Sequence, residues 1–145
     1  MEASDFGKLI RGITSNVNNY ISEKIEPYGI KQGQFEYFLL IFMSPGINQL
    51  ELGKLKHVGK ASVTKALKIL EEDGFINRVN DSNDKRNTLC YVSEKGEKIA
   101  EHLIKIREIA ETEMFIGFTE SERVELFNYL KKLMKNSEGL LEREE

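Results

Sequence analysis

The sequence predicts a mainly α-helical protein that carries one small β-hairpin. Most of its 145 residues fall in stretches whose apolar side chains recur every three or four positions, the spacing of one face of an α-helix. Two short segments, 75–79 and 88–92, are instead rich in β-branched and aromatic residues, and turn-forming residues separate them. Hydrophobic residues make up 40% and charged residues 31% of the chain, so we expect one domain with a usable core.

Two helices are predicted in the first 47 residues. An apolar stripe from Phe6 to Tyr20 predicts a helix that ends near Pro27. The aromatic-rich segment Phe35–Phe42 predicts a second helix, which ends at the Ser-Pro-Gly sequence shortly after it.

Two closely spaced helices are predicted next. Asn48 and Glu51 have the form of a capping box, in which the asparagine accepts from the first turn and the glutamate reaches back. The third helix therefore begins there and extends to about His57. A fourth helix starts at Lys60 and ends near Asp73, with its apolar positions on one side.

The hairpin and two further helices complete the pattern. Residues 80–87 form the hairpin tip, Ser93 is positioned to cap a long helix, and Thr119 with Glu122 forms a second capping box. We expect one continuous domain with three regions: N-terminal dimerisation and core helices in 1–47, a DNA-binding region in 48–93, and C-terminal dimerisation helices in 94–145.

The charge of the chain is unevenly distributed. The formal net charge is −3, yet residues 54–68 contain five lysines and no acidic residue. Such a cluster attracts phosphate even when the whole molecule is acidic. A solvated lysine face explains the same pattern when charge alone is considered.

Several classes of protein are disfavoured by the sequence. No apolar run is long enough to span a bilayer, and the N-terminus lacks the pattern of a signal peptide, so we expect a cytoplasmic protein without a membrane partner. The single cysteine, Cys90, fits a reducing compartment. No phosphate-binding glycine loop, nucleophile elbow or metal-ligand cluster is present, so we expect neither an enzyme nor a metal or other cofactor.

The order helix, turn, helix, hairpin is that of a winged helix-turn-helix. An α-helix fits the major groove of B-DNA, so its N-terminal half can present side chains to base edges. Lys54 and Lys56, with Lys60, are expected to contact phosphates, whereas Ser62 and Thr64 offer hydroxyls and Lys65 can donate to guanine. The candidate residues on this surface are Lys54, Lys56, Lys60, Ala61, Ser62, Thr64, Lys65 and Lys68. Ordinary early-helix residues on a solvated surface would give the same composition.

The hairpin resembles that of the MarR family of transcription regulators. Residues 81–96 read DSNDKRNTLCYVSEKG, which is similar to the family's wing signature, and residues 58–78, VGKASVTKALKILEEDGFINR, resemble its recognition helix and first wing strand. The resemblance implies a dimer with two winged modules whose tips reach the minor groove. It implies that Arg86 enters that groove, that Asp84 orients it, and that Lys85 lies beside them. A solvated turn is the alternative interpretation.

A homodimer is expected from the apolar excess of the terminal helices. Those helices offer more apolar surface than one small module covers, although an intramolecular bundle is an alternative. Two-fold symmetry also matches a pseudo-palindromic double-stranded operator.

The resemblance further implies a repressor that a small phenolic or aromatic acid releases from DNA. Tyr37 and His57 are candidate lining residues of the ligand crevice, and Lys8 or Arg11 could neutralise a carboxylate. Tyr37 as a core aromatic and His57 as a turn residue are the alternatives. Cys90 is expected to be a buried strand residue rather than an oxidant sensor.

A protein-interaction module is the rival function. A winged-helix module can serve protein contacts without sequence-specific DNA binding. The combination of a basic helix with a wing arginine favours the DNA-binding regulator, because protein docking does not require it.

Overall fold

A computed structural model describes residues 3–143; residues 1, 2, 144 and 145, which belong to the two outer predicted regions, lie outside the described residues. The elements in chain order are α1 (Ala3–Ile25), a 3₁₀ turn (Glu26–Tyr28), α2 (Gln32–Met43), β1 (Ile47–Asn48), α3 (Gln49–Lys56), α4 (Lys60–Glu72), β2 (Ile76–Asn80), β3 (Thr88–Val92), α5 (Glu94–Met114), α6 (Glu120–Glu138) and α7 (Leu140–Arg143). The predicted fold class, mainly α with a hairpin wing, is confirmed.

The strands form a small antiparallel sheet in the order β1-β3-β2. The hairpin strands pair from Ile76 opposite Val92 to Asn80 opposite Thr88. On the other edge of β3, Ile47 pairs with Cys90. The hairpin was predictable from the sequence but β1 was not, and the first hairpin strand begins one residue later than predicted.

The chain divides into two compact units, Met1–Ala110 and Glu111–Glu145. The first unit contains α1 to α4, the sheet and most of α5. Its core is formed by fully buried side chains from these elements, including Phe38, Leu52, Leu67, Phe75 and Leu103. The rings of Phe38 and Phe75 meet edge to face with centroids 6.2 Å apart, a favourable arrangement for buried aromatic residues.

The junction between the hairpin and α5 is tightly packed. The Ser93 hydroxyl donates to the carbonyl oxygen of Gly74 at 2.6 Å and accepts from the backbone N–H of Gly96 at 3.1 Å, which confirms the predicted cap. The Lys95 ammonium donates to the carbonyl oxygen of Asp73 at 2.7 Å. These bonds tie the end of α4 to the start of α5.

The second unit consists of the end of α5, the turn after it, α6 and α7. The capping box predicted at Thr119 and Glu122 is present, with both of its hydrogen bonds made. Arg123 lies over the ring of Phe115 at 4.5 Å and pairs with Glu111 at 2.9 Å. Among the residues described, no α6 side chain is buried.

The predicted apolar stripe of α1 is buried at one end only. Ile21 and Ile25 lie in the core, whereas Phe6, Ile10 and Ile13 are exposed. No helix in the described part of the chain has the length and apolarity that crossing a bilayer requires.

Candidate nucleic-acid interface

The helix-turn-helix is built by local hydrogen bonds around α3. The Asn48 side chain accepts from the backbone N–H of Glu51 at 2.8 Å, and Glu51 completes the predicted capping box. At the other end His57 adopts a left-handed conformation with φ of 55°, and the backbone N–H of Val58 donates to the Gly53 carbonyl. A side chain at Gly53 would begin 3.2 Å from the carbonyl oxygen of Val58, so the glycine permits this close turn.

The fourth helix divides into a buried and an exposed face. Val63, Ala66, Leu67 and Leu70 are buried, since they recur at helical spacing and pack into the core. The opposite face is exposed and carries Lys60, Ala61, Ser62, Thr64, Lys65 and Lys68. The expected DNA-facing residues of this helix therefore share one solvent-facing surface.

The hydroxyl of Thr64 is engaged within the protein. It donates to the carbonyl oxygen of Lys60 at 2.9 Å and accepts from the side-chain amide of Gln49 at 3.4 Å. This differs from the expected role, in which the hydroxyl was offered to phosphates or bases. Gln49 was not among the predicted residues, because its bond to Thr64 spans fifteen residues and no local pattern indicates it.

Lys56, a predicted phosphate contact, is engaged with the neighbouring helix α2. Its ammonium pairs with the Glu36 carboxylate at 2.8 Å and lies 5.0 Å from the centre of the Tyr37 ring. The lysine side chain is only 20% exposed. This ion pair links α3 to α2 and competes with the predicted phosphate contact of Lys56, which stays a prediction.

A cleft separates the helix-turn-helix from the wing, which comprises β2, β3 and their connection. Its volume is about 960 Å³. It is lined by Asn48, Gln49, Leu50, Gly53, Lys54, His57, Val58, Lys60, Val63, Asp84, Arg86, Asn87 and Thr88. Lys54, Lys60 and Arg86 thus border one groove, and Asp84 is the acidic lining residue.

The wing tip is shaped by two aspartates. Asp81 accepts from the backbone N–H of Asn83 at 2.9 Å and from the side-chain amide of Asn87 at 3.1 Å. Both bonds lower the pKa of the Asp81 carboxyl, and the bond from Asn83 has the larger effect. Asp81 appeared in the sequence only as part of the wing signature, although an aspartate in a turn is typical of such side-chain-to-backbone bonds.

Asp84 acts on Arg86 through the backbone. Its carboxylate accepts from the backbone N–H of Arg86 at 3.0 Å. Among the ion pairs of the described residues, none joins Asp84 to the Arg86 guanidinium. The aspartate therefore fixes the turn and leaves the guanidinium exposed beside the exposed Lys85.

The wing is also attached to α4. The Arg78 guanidinium on β2 donates to the Glu71 carboxylate at 2.9 Å. This hydrogen bond is the main cause that lowers the pKa of Glu71 and raises that of Arg78. Because both side chains are partly exposed, the bond orients the wing more than it stabilises the fold.

The candidate ligand residues lie on different parts of the first unit. Lys8 and Arg11 are exposed on α1, and Arg11 borders a shallow depression of about 440 Å³ formed by that helix alone. Tyr37 is 4% exposed in the core, whereas His57 borders the cleft beside the wing. The structure of one chain therefore does not bring Arg11 and His57 into one cavity.

Cys90 is fully buried in β3. Burial raises the pKa of its thiol to about 11. Within the described residues no group of three or more His, Cys, Asp or Glu side chains is arranged to hold a metal ion.

Comparison with known proteins identifies the family. The MarR family model matches residues 30–88. The HTH-type transcriptional regulator YybA of Bacillus subtilis strain 168 is 30% identical over 134 residues, which cover 92% of this chain and 87% of YybA.

Two solved structures extend the comparison. A MarR family regulator from Listeria monocytogenes complexed with 26mer DNA has a TM-score of 0.82 at 27% identity, covering 94% of this chain and 88% of the Listeria chain. A mutant MarR from Escherichia coli complexed with operator DNA has a TM-score of 0.79 at 26% identity, covering 89% of this chain and 93% of that one. These relatives are transcription regulators and not enzymes. With its helix-turn-helix and wing, the chain therefore belongs to the MarR family of winged helix-turn-helix transcription regulators.

Proposed function

We propose that the protein binds pseudo-palindromic double-stranded DNA as a homodimer and represses transcription. In this proposal region 48–93 reads DNA, and regions 1–47 and 94–145 join the two subunits. The observation that carries it is the cleft beside the wing, where Lys54, Lys60 and Arg86 meet at one groove. Because the partner is chromosomal DNA, the proposed place of action is the cytoplasm.

The chemistry of this surface fits a DNA duplex. The exposed face of α4 matches the width of the major groove, and Lys65 and Lys68 extend its positive charge. Arg86 on the projecting tip is suited to the narrow minor groove, where the negative potential is enhanced. Solved relatives from Listeria monocytogenes and Escherichia coli are complexed with DNA, which supports the same partner here.

The homodimer is supported by apolar side chains that one chain leaves exposed. In α1 these are Phe6, Leu9, Ile10 and Ile13. In the second unit they include Ile116, Phe118, Val124, Tyr129, Leu130, Leu133 and Met134. Burial of these side chains against a second copy of the chain would remove apolar surface from water and so stabilise a dimer.

Fluorescence anisotropy tests the DNA-binding proposal. The labelled duplex is the DNA beside the protein's own gene, and the control is a random-sequence duplex of equal length. We expect tighter binding to the former and a loss of affinity as salt rises, because phosphate contacts release counterions. Equal binding to both duplexes at low salt would defeat the regulator proposal and favour the protein-docking module.

The proposed effector is a small phenolic or aromatic acid. Its candidate contacts remain Lys8, Arg11, Tyr37 and His57, and the separation of Arg11 from His57 means that a site using both would require the dimer. Millimolar salicylate should weaken operator binding and raise the unfolding temperature of the full chain. Unchanged affinity together with an unchanged unfolding temperature would exclude this effector class.

A further inference from the structure

Thr64 is exposed on the proposed DNA-reading face, yet its hydroxyl is already engaged. The hydroxyl hydrogen is donated to the carbonyl oxygen of Lys60 at 2.9 Å. A threonine hydroxyl has a single hydrogen, so none remains for an acceptor on a base or a phosphate. One of its lone pairs accepts from the Gln49 amide at 3.4 Å.

The γ-methyl group is the remaining part of this side chain. Thymine presents a C5-methyl group in the major groove, and apolar contact with it distinguishes thymine from the other bases. We propose that the Thr64 methyl contacts a thymine methyl, so that each half-site carries one thymine read by this residue. The proposal rests on the proposed DNA-binding function and assigns it a base preference.

Gln49 acts as a positioning residue for Thr64. It is the first residue of α3, so its amide reaches Thr64 from a different helix. Threonine in a helix divides between two rotamers, and rotation about χ1 towards DNA would break the bonds to both Lys60 and Gln49. The two bonds therefore hold the hydroxyl against Lys60 and Gln49, and the methyl is the part of this exposed side chain that can meet a base.

The test uses a duplex that the 145-residue chain selects from a random-sequence library. Each thymine is replaced in turn by deoxyuridine, which lacks only the C5-methyl group, and affinity is measured by anisotropy. At one thymine per half-site, the replacement should weaken binding of the protein to the duplex about fourfold, the effect expected for burying one methyl-sized group.

Two variants assign that loss to the Thr64 methyl. Thr64→Val replaces the hydroxyl with a second methyl, and valine keeps one preferred χ1 rotamer in a helix without any hydrogen bond, so this variant should keep the fourfold loss. Thr64→Ser retains the hydroxyl and lacks the methyl. Replacing the same thymine by deoxyuridine should therefore not change the affinity of this variant for the duplex. Gln49→Ala should reduce the uracil effect, because Thr64 then loses one of the two bonds that hold it. Thermal unfolding checks that each variant is folded. If Thr64→Val does not fold, Thr64→Ser alone decides whether the methyl makes the contact.

The outcomes separate this proposal from the one on which it rests. Specific DNA binding with the same uracil penalty in wild type and Thr64→Ser would overturn the thymine contact and leave the regulator intact. Specific binding without any uracil-sensitive thymine would do the same. Failure to select any sequence would overturn the proposed DNA-binding function itself.

Discussion

Arg86 and Lys65 are assigned different tasks on the DNA, and their alanine variants should separate them. Arg86→Ala should weaken binding about tenfold and reduce the slope of affinity against salt by about 1 per subunit, because a charge near the backbone is lost. Lys65→Ala should instead relax the preference for guanine at one position. Anisotropy over a salt series and over single-base operator variants measures both effects.

The control for this pair is Lys132→Ala. Lys132 is exposed on α6, outside the proposed interface, and its removal changes the net charge by the same amount. Its binding should match that of the wild type. If Arg86→Ala and Lys65→Ala also bind like the wild type, the assignment of the interface is wrong.

Asp81 is expected to hold the wing tip in its DNA-binding shape. Asp81→Ala removes the acceptor of the Asn83 backbone N–H and of the Asn87 side-chain amide, so hydrogen exchange at the Asn83 backbone amide should accelerate and DNA binding should weaken. Ser82→Ala, at the neighbouring exposed position, is the control. Unchanged exchange in Asp81→Ala would show that the backbone alone fixes the tip.

The pH dependence of the tip follows from the lowered pKa of Asp81. The ionised carboxylate accepts both bonds, so their contribution is complete above the ordinary pKa of 3.8 and is lost as pH falls through the lowered value. After correction for the intrinsic pH dependence of amide exchange, the protection of the Asn83 backbone N–H should therefore stay constant down to mildly acidic pH. A loss of this protection while the pH is still well above 3.8 would contradict the assignment.

Cys90 should be chemically inert in the folded protein. Its thiol is buried and its pKa is raised to about 11, so little of the reactive thiolate exists at neutral pH. The contribution of the neutral thiol to stability is complete below 9.0 and is lost as pH rises towards about 11. An aromatic disulfide reagent should label Cys90 only after denaturation, whereas rapid labelling of the native chain would revive the oxidant-sensor alternative.

At the scale of elements, the junction of the hairpin with α5 depends on a glycine. A Cβ at Gly96 would lie 2.5 Å from the Phe75 carbonyl oxygen and 2.6 Å from a Val92 methyl, so backbone must move. Gly96→Ala should lower the free energy of unfolding by about 3 kcal/mol. Gly33→Ala, with open space around its Cβ, should leave it unchanged or raise it by up to about 1 kcal/mol. Urea unfolding compares the two, and equal stabilities would contradict the packing at Gly96.

The elements that the sequence predicted best are those with local signals. Asn48 with Glu51 and Thr119 with Glu122 form capping boxes within four residues, and both are present. The hairpin was predictable because its turn residues lie between two short strand-like segments. By contrast, β1 has two residues and therefore no periodicity, and only its pairing with the distant β3 makes it a strand.

Side-chain roles in the candidate site were harder to predict than its location. The exposed face of α4 follows from helical spacing. The partner of Lys56 does not, because Glu36 lies twenty residues earlier, on another helix. Thr64 is a similar case, since its bond to Gln49 exists only after α3 and α4 have packed. Tertiary contacts of this kind decide which lysine is free and which hydroxyl is engaged.

At the scale of the whole molecule, a negative net charge coexists with a basic surface for DNA. The chain carries a formal charge of −3, whereas five lysines and no acidic residue fall within residues 54–68. At ordinary ionic strength, salt screens exposed charges that are more than about 10 Å apart. The local potential of the lysine cluster, rather than the net charge, therefore attracts a duplex. Residues 1–47 and residues 94–145 each carry more acidic than basic side chains, so DNA contacts are disfavoured outside the reading region.

The terminal helices are also expected to hold two subunits together. A chain that ends at Thr112 lacks α6 and the exposed apolar residues of the second unit, so it should be a monomer or aggregate. The full chain should elute as a dimer with twice the 16.7 kDa mass of one subunit. Size-exclusion chromatography with light scattering measures both, and a well-behaved truncated dimer would place the interface elsewhere.

A substitution in the full chain tests the same surface without removing a helix. Leu130 is 40% exposed on α6, and Leu130→Glu would bury a charge wherever a partner covers that position. We expect this variant to dissociate at micromolar concentration and to bind a two-half-site operator more weakly. Lys131→Glu, next to it on α6 and exposed, introduces the same carboxylate and should remain dimeric. If both variants stay dimeric with unchanged operator affinity, α6 lies outside the interface and the subunits join through other exposed apolar residues, such as Phe6 and Leu9 of α1.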